Sequence, residues 1–196
     1  MVRSYGVFGF IRLTINWLLT RIFFPRARLV RFPIYVRGKN FMVLGEGLTT
    51  GVNVRLDAIA PMGSSPVLHI GRHVQINDSV HIGAIKEVII GDYTLIASRV
   101  FISDHNHGNY QIQDTASAPD IPPVDRPLTS KPVHIGCNVW LGEQVCILPG
   151  VNIGDGVIVG ANSVVTHDIP RNSIAAGNPA RVIRIFDDIE KEWRRV

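Results

Sequence analysis

Between Ile135 and Ile169 an aliphatic residue returns every six positions, at Ile135, Leu141, Ile147, Ile153, Val159 and Val165. A second series runs four residues behind it: Val139, Val145, Val151, Val157, Ser163 and Ile169. Glycine follows the first series at Gly136, Gly142, Gly154 and Gly160. A period of six is neither the 3.6 of an amphipathic helix nor the simple alternation of a half-buried strand. It requires a chain that turns a regular corner every few residues and returns an aliphatic side chain to one shared interior.

Short fixed periods of this kind mark solenoids, and the hexad marks the parallel β-helix. Each hexad is read as one flat face of a triangular coil. The aliphatic residue points inward, and the next residue lies near a corner, where glycine is expected to relax the backbone. Three hexads close a coil, and the coils stack as parallel strands rich in Val and Ile. The fold class expected is therefore an all-β solenoid. Weaker registers begin near Ile34 and run through Leu44-Gly45, Thr50-Gly51 and Leu56, with Leu48 and Val54 in the second series. Ala58 to Pro66 reads as a loop. The repeat resumes at Ile70, Ile76, Ile82, Ile90, Ile96 and Ile102. The step from Ile82 to Ile90 is too long by two residues, so a bulge is expected near Ile85–Glu87.

Two stretches leave the pattern. The first, 103–134, is rich in proline and starts Ser-Asp-His-Asn-His-Gly. A loop this long inside a regular solenoid points to function, and its first residues are held on rigid structure. The second is the N-terminal segment, 1–32, where Phe, Ile, Leu and Trp are interspersed with Arg3, Arg12, Arg21, Arg26, Arg28 and Arg31. Arg12 and Asn16 interrupt a full apolar span, and no small-residue cleavage site follows. The segment reads as a helix that packs on its own solenoid or a neighbouring subunit, or one that lies in a membrane interface. The domain boundaries expected are thus 1–32 for this segment, 33–186 for the solenoid and 187–196 for a tail. In the tail, the spacing of Phe186, Ile189 and Trp193 predicts a helix that caps the open end.

The chain is 46% hydrophobic with a net charge of +4. The basic balance fits an anionic small molecule or a membrane surface. No nucleic-acid-binding pattern is present in the sequence. Cys137 and Cys146 make neither a disulfide framework nor a metal-type cluster, which fits a reducing cytoplasm.

The run Asp104-His105-Asn106-His107-Gly108, the stretch from Asn138 to Pro170 and the segment Ala175 to Arg184 together resemble the hexapeptide acyltransferase superfamily. Within it they are most similar to the galactoside and maltose O-acetyltransferase branch. The basic, apolar N-terminal segment resembles that of O-acetyltransferases ascribed to lipopolysaccharide O-antigen biosynthesis. The superfamily resemblance covers roughly residues 40–186. It implies a left-handed parallel β-helix, a homotrimer with active sites between prisms, acetyl-CoA as donor, a sugar or glycan acceptor and no metal. The runner-up reaction is N-acetylation of a nucleotide-linked amino sugar. A γ-type carbonic anhydrase and a non-enzymatic scaffold share the fold class.

Acetyl transfer to a hydroxyl needs a base, donors for the developing oxyanion and aligned substrates. Imidazole titrates near neutrality and suits the first task. The resemblance assigns the base to His105, with His107 as the alternative. His69, His73 and His81 fall in non-core registers and read as surface residues. By the same resemblance Asn77 contacts the acceptor, an amide being both donor and acceptor. Asp104 either orients His105 or binds a sugar hydroxyl. Trp140 either lines the acceptor or pantetheine site or packs between subunits. Glu143 stands where relatives carry Ser. Ala97, Glu143, Ala161 and Thr166 match the positions along which CoA lies. Arg181 and Arg184 are the phosphate candidates, the more so because His167 follows Thr166 where relatives carry Lys.

Overall fold

A computed structural model describes residues 2–110 and 117–196. Three parallel sheets enclose one apolar core. The first face stacks Ile34–Arg37, Val54–Ala58, His81–Ala84, Phe101–Ser103, Cys146–Ile147 and Val164–Val165. The second stacks Met42–Leu44, Leu68–Ile70, Val88–Ile90, Val133–Ile135 and Asn152–Ile153. The third stacks Thr49–Thr50, Gln75–Ile76, Leu95–Ile96, Trp140–Leu141, Ile158–Val159 and Ser173–Gly177. The chain visits the second, third and first faces in turn, once per coil, so every hydrogen-bonded neighbour is one coil away in sequence.

Both repeat series point inward as expected. Leu141, Ile147, Val145 and Val157 are fully buried, and so are the earlier Leu56, Ile82 and Ile102. Burying one such side chain is worth about 1.5–3 kcal/mol, and the repeat places several in every coil. Ser163 stands where its series otherwise has Val or Ile. Its hydroxyl donates to the Gly160 carbonyl at 2.6 Å and accepts from the Gly177 amide at 3.0 Å, so the buried polar atom is satisfied.

The repeat glycines act differently from the expectation. The left-handed backbone falls two residues after them, at Asn138 (φ 56°), Gln144 (φ 60°), Gly156 (φ 67°) and Asn162 (φ 59°). The glycines themselves make room for the next coil. A Cβ on Gly142 would lie 2.7 Å from the Ala161 amide nitrogen, and one on Gly136 would lie 2.7 Å from that of Asp155. Close stacking of corners, rather than dihedral freedom, is what requires glycine there.

The excursion after Phe101–Ser103 opens as a two-stranded antiparallel arm, His105–His107 against Leu128–Ser130. Cys146–Ile147 then pairs with Phe101–Ile102, so the coil closes as though nothing had intervened. The three residues between His81–Ala84 and Val88–Ile90 form the bulge expected there.

One helix, Val2–Phe23, precedes the prism, kinked at Gly6, whose φ of 65° is non-helical. Its length and composition suffice for a membrane span, although Arg12 and Asn16 read as interruptions. Those polar residues are what attach it. Asn16 and Thr20 are buried. Asn16 Oδ1 accepts from the Phe32 amide at 3.2 Å, and Thr20 Oγ1 accepts from the Val30 amide at 2.8 Å. The helix therefore packs on its own solenoid.

The tail corrects the sequence expectation. Residues 187–196 form no capping helix; Glu192–Arg195 is a strand antiparallel to Ala180–Asp187, which extends the third sheet. Phe186 and Trp193 pair across the hairpin, ring edge to face, at 5.2 Å. Asp187 accepts from the Ile189 and Glu190 amides, and this local side-chain bond competes with helix formation. Ile189, the middle residue of the helical pattern, is left exposed.

Gly142→Ala tests the stacking requirement. The variant is expected to lose about 1–3 kcal/mol in urea unfolding, as overpacking does. An unchanged midpoint would show that the corner can spread.

Candidate active site

His105 is the first residue of the arm, and its position is set by Asp104. The Asp104 carboxylate is completely buried and accepts at 2.7–3.1 Å from the amides of Ile85, Lys86 and Glu87, the three bulge residues. It also lies 2.9 Å from His105 Nδ1. Burial pushes this carboxyl's pKa up, but the bonds from His105 and the bulge amides outweigh it, and the net direction is down. A charged carboxylate beside Nδ1 favours a proton on that nitrogen of the neutral ring, which turns the lone pair to Nε2. The Ser103 hydroxyl, 3.2 Å from the same nitrogen, donates to the His105 carbonyl at 3.1 Å. Gly83, one coil away, leaves room for the ring: a Cβ there would lie 3.2 Å from His105 Cε1.

The imidazole borders a cleft of about 220 Å³ on the first face. Arg37, Arg55, Asp57, His81, Phe101 and His107 share its lining. Asp57 is buried, with Arg37 at 2.6 and 3.0 Å, Arg55 at 2.7 Å and His81 at 3.1 Å. The Arg37 hydrogen bond, opposed by burial and aided by His81, lowers the Asp57 carboxyl to about 2. His81 meets the edge of Phe101 at 5.4 Å. The cleft thus offers an oriented imidazole, fixed cations and two ring surfaces.

Of the residues singled out from sequence, His105, Asp104 and His107 come together here. His81 joins them, although its register reads as surface. Arg37, Arg55 and Asp57 carried no motif. Their signal lay in the strand register, because Arg55 pairs with His81 and His81 with Phe101, all pointing outward.

A second group gathers on the corner that joins the third face to the first. The Asn77 amide donates to Ile96, Ala97 to Leu141 and Gly142 to Val159, so Asn77, Ala97 and Gly142 are stacked one coil apart. The next position in each coil stacks Asp78, Ser98, Glu143 and Ala161, and Glu143 Oε1 accepts from the Ser98 amide at 3.1 Å. Asn77, Ala97, Glu143 and Ala161 therefore mark one edge of the prism. Trp140, half exposed on the third face between Leu95 and Ile158, borders that edge. Thr166 sits at the far end of the first face, bonded to His167 at 2.7 Å. Arg181 and Arg184 lie on the added strand Ala180–Asp187. Within one chain, Ala97 and Ser103 are six residues apart across the first face, a span of up to about 20 Å. The His105 cleft and the stacked edge thus occupy opposite margins of the same face.

A prism of hexapeptide coils with a carboxylate-oriented histidine at its one long excursion defines a class, the hexapeptide acyltransferases. The family described as bacterial transferase hexapeptide (six repeats) matches residues 132–167. The chain is 48% identical over 195 residues to WbbJ of Escherichia coli K12, covering 100% of this chain and 97% of that protein, whose name assigns it to lipopolysaccharide biosynthesis as an O-acetyl transferase. It is 37% identical over 162 residues to the galactoside O-acetyltransferase of the same strain, covering 82% and 75%. Its fold is shared with AntD, an N-acyltransferase of Bacillus cereus, at a TM-score of 0.67 and 21% identity over 85% and 86% of the chains. This chain belongs to the hexapeptide-repeat acetyltransferases, and its prism is the left-handed parallel β-helix.

The Asp57 cluster makes stability depend on acid. A folded-state pKa lowered to about 2 stabilises the fold fully above the ordinary carboxylate value and ceases to do so as pH falls through 2. Between about pH 4 and 2, the wild type is expected to lose stability more steeply than Asp57→Asn. Parallel stability curves would remove Asp57 from the account.

Proposed function

We propose that this protein is an acetyl-CoA-dependent O-acetyltransferase that acts on a sugar hydroxyl in lipopolysaccharide O-antigen or other surface-polysaccharide biosynthesis. It works as a cytoplasmic homotrimer. The observation that carries the reading is the Asp104–His105 pair, oriented with Nε2 free at a polar cleft. The similarity to WbbJ over the whole chain, and to galactoside O-acetyltransferase over most of it, supports the choice of a sugar hydroxyl.

His105 Nε2 takes the hydroxyl proton as the acceptor oxygen attacks the thioester carbonyl carbon. The carbon–sulfur bond breaks as the tetrahedral intermediate collapses. The proton on His105 passes to the departing CoA sulfur, so the base returns to its starting state. Asp104 stays charged throughout and stabilises the transient imidazolium. The cleft beside His105 takes the sugar, with Arg37 or Arg55 donating to a ring substituent or neighbouring oxygen, while Asp57, already bonded to Arg37, Arg55 and His81, holds those side chains in place. Asp104 has no free role with the sugar, since its oxygens are already engaged.

Acetyl-CoA lies along the stacked edge at Ala97, Glu143 and Ala161, with Arg181 and Arg184 toward its phosphates and Trp140 flanking it, while Thr166, on the His105 margin of the first face, meets it from the neighbouring copy. Small side chains at Ala97 and Ala161 let the pantetheine approach the backbone. One chain keeps this edge and His105 at opposite margins of a face. A second copy, rotated about an axis parallel to the prism, sets its stacked edge against the first copy's His105. Repeating that head-to-tail contact closes a ring, and a triangular prism favours three.

A complementation assay tests both the base and its sharing. His105→Ala alone is expected to lower acetyl transfer about 10²-fold or more while CoA still binds. Ala161→Trp alone is expected to block CoA. Coexpressed in equal amounts, the two variants restore about a quarter of the wild-type activity, the fraction of mixed contacts that unite an intact edge with an intact base. No recovery would place base and donor on one chain. Full activity of His105→Ala would remove it as the base.

A further inference from the structure

The N-terminal helix has its polarity turned inside out. Gly9, Leu13, Asn16 and Thr20 recur on one face, and this is the docked face. Asn16 and Thr20 are bonded to residues 30–32, and Gly9 and Leu13 border the groove against Gly51, Val52 and Asn77. The opposite face carries Val7, Phe8, Ile11, Ile15, Leu18 and Ile22, each between 49% and 89% exposed. These recur at intervals of three and four residues and form a stripe about 22 Å long, at 1.5 Å per residue. A helix that met only water would carry the reverse arrangement.

Charge identifies what covers the stripe. Eight Lys and Arg residues precede Glu46, and no Asp or Glu does. Arg21 and Arg28 flank the helix in a recess of about 390 Å³ that they share with Trp17, and the Arg21 guanidinium stands 5.6 Å over the Trp17 ring. An apolar stripe bordered by arginines and an indole is the arrangement of a helix lying in a bilayer interface. A second copy would bring the arginines that border the stripe against their own like charges, with no carboxylate in the segment to offset them. The helix does not cross the bilayer, because its other face is fixed along the solenoid.

We propose that the helix Val2–Phe23 lies in the plane of an anionic phospholipid bilayer, with Val7, Ile11, Leu18 and Ile22 in the acyl region and Arg21 and Arg28 at the headgroups. The enzyme's long axis is then fixed relative to the membrane, and the His105 cleft is held at a constant height above it. Nothing in this seating depends on which sugar is acetylated.

Cosedimentation of the full chain with vesicles tests it. The wild type is expected to pellet with phosphatidylethanolamine–phosphatidylglycerol vesicles, less so as salt rises, and weakly with phosphatidylcholine. Arg21→Gln with Arg28→Gln is expected to weaken anionic binding on the order of 10-fold or more. Ile11→Ser with Leu18→Ser is expected to abolish binding to either vesicle while keeping the wild-type mass in solution and CoA binding. Three results would overturn the proposal: a wild type that stays in the supernatant, serine variants that bind vesicles normally, or serine variants whose only change is a lower oligomeric mass. The last would mean that a second copy covers the stripe.

Discussion

Asp104 sits where the chain leaves the prism, and four donors converge on its carboxylate: three amides of the bulge at Ile85–Glu87 and the Nδ1 of His105. Burying a carboxylate without partners costs several kcal/mol, so these groups are held together or not at all. A regular corner gives one amide to an Asp of the next coil, as Cys137 does to Asp155, whereas the bulge gives three to Asp104. The two extra residues that break the repeat at 85–87 thus supply the donors that let a charged group be buried beside His105. The arm His105–His107 begins at that fixed point, and the Lys131 amide returns to the Asp104 carbonyl at 2.8 Å as the arm closes.

The rest of the site follows from how coils stack. Glycine at the corners lets one coil press against the next, and corner residues of successive coils then align into straight edges. Asn77, Ala97, Glu143 and Ala161 come from four coils and share one edge. The outward side chains Arg55 and Asp57, then His81, then Phe101 come from three coils and share one face. A solenoid converts distant sequence positions into a ruled surface suited to a long ligand such as CoA. Its side-chain chemistry concentrates where the ruling is interrupted.

Much of this was legible in the sequence. The period of six placed both core series, and the eight-residue step located the bulge. The long excursion marked where His105 leaves the prism, and the family resemblance singled it out as the candidate base. Other features were hidden for identifiable reasons. Arg37, Arg55, Asp57 and His81 meet through registers that the loop at 58–66 and the bulge shift out of any simple period. The role of the repeat glycines depends on the neighbouring coil, which one hexad cannot reveal. The tail's spacing of Phe186, Ile189 and Trp193 suits a helix, but the edge of the third sheet offered backbone partners and Asp187 capped a turn instead. The N-terminal segment read as apolar residues interspersed with arginine, with Arg12 and Asn16 as interruptions; only the docked Asn16 and Thr20 show which face is outside.

The central claim is that buried, charged Asp104 holds His105 as a base with Nε2 free, and nitrogen-15 NMR of the histidine rings tests it most directly, with His105 assigned through a His105→Gln variant. The neutral His105 ring is expected to carry its proton on Nδ1 in the wild type and to lose that preference in Asp104→Asn. A neutral ring protonated on Nε2, unchanged by the Asp104 substitution, would contradict the account, since the nitrogen facing the cleft would then have no lone pair with which to take a proton.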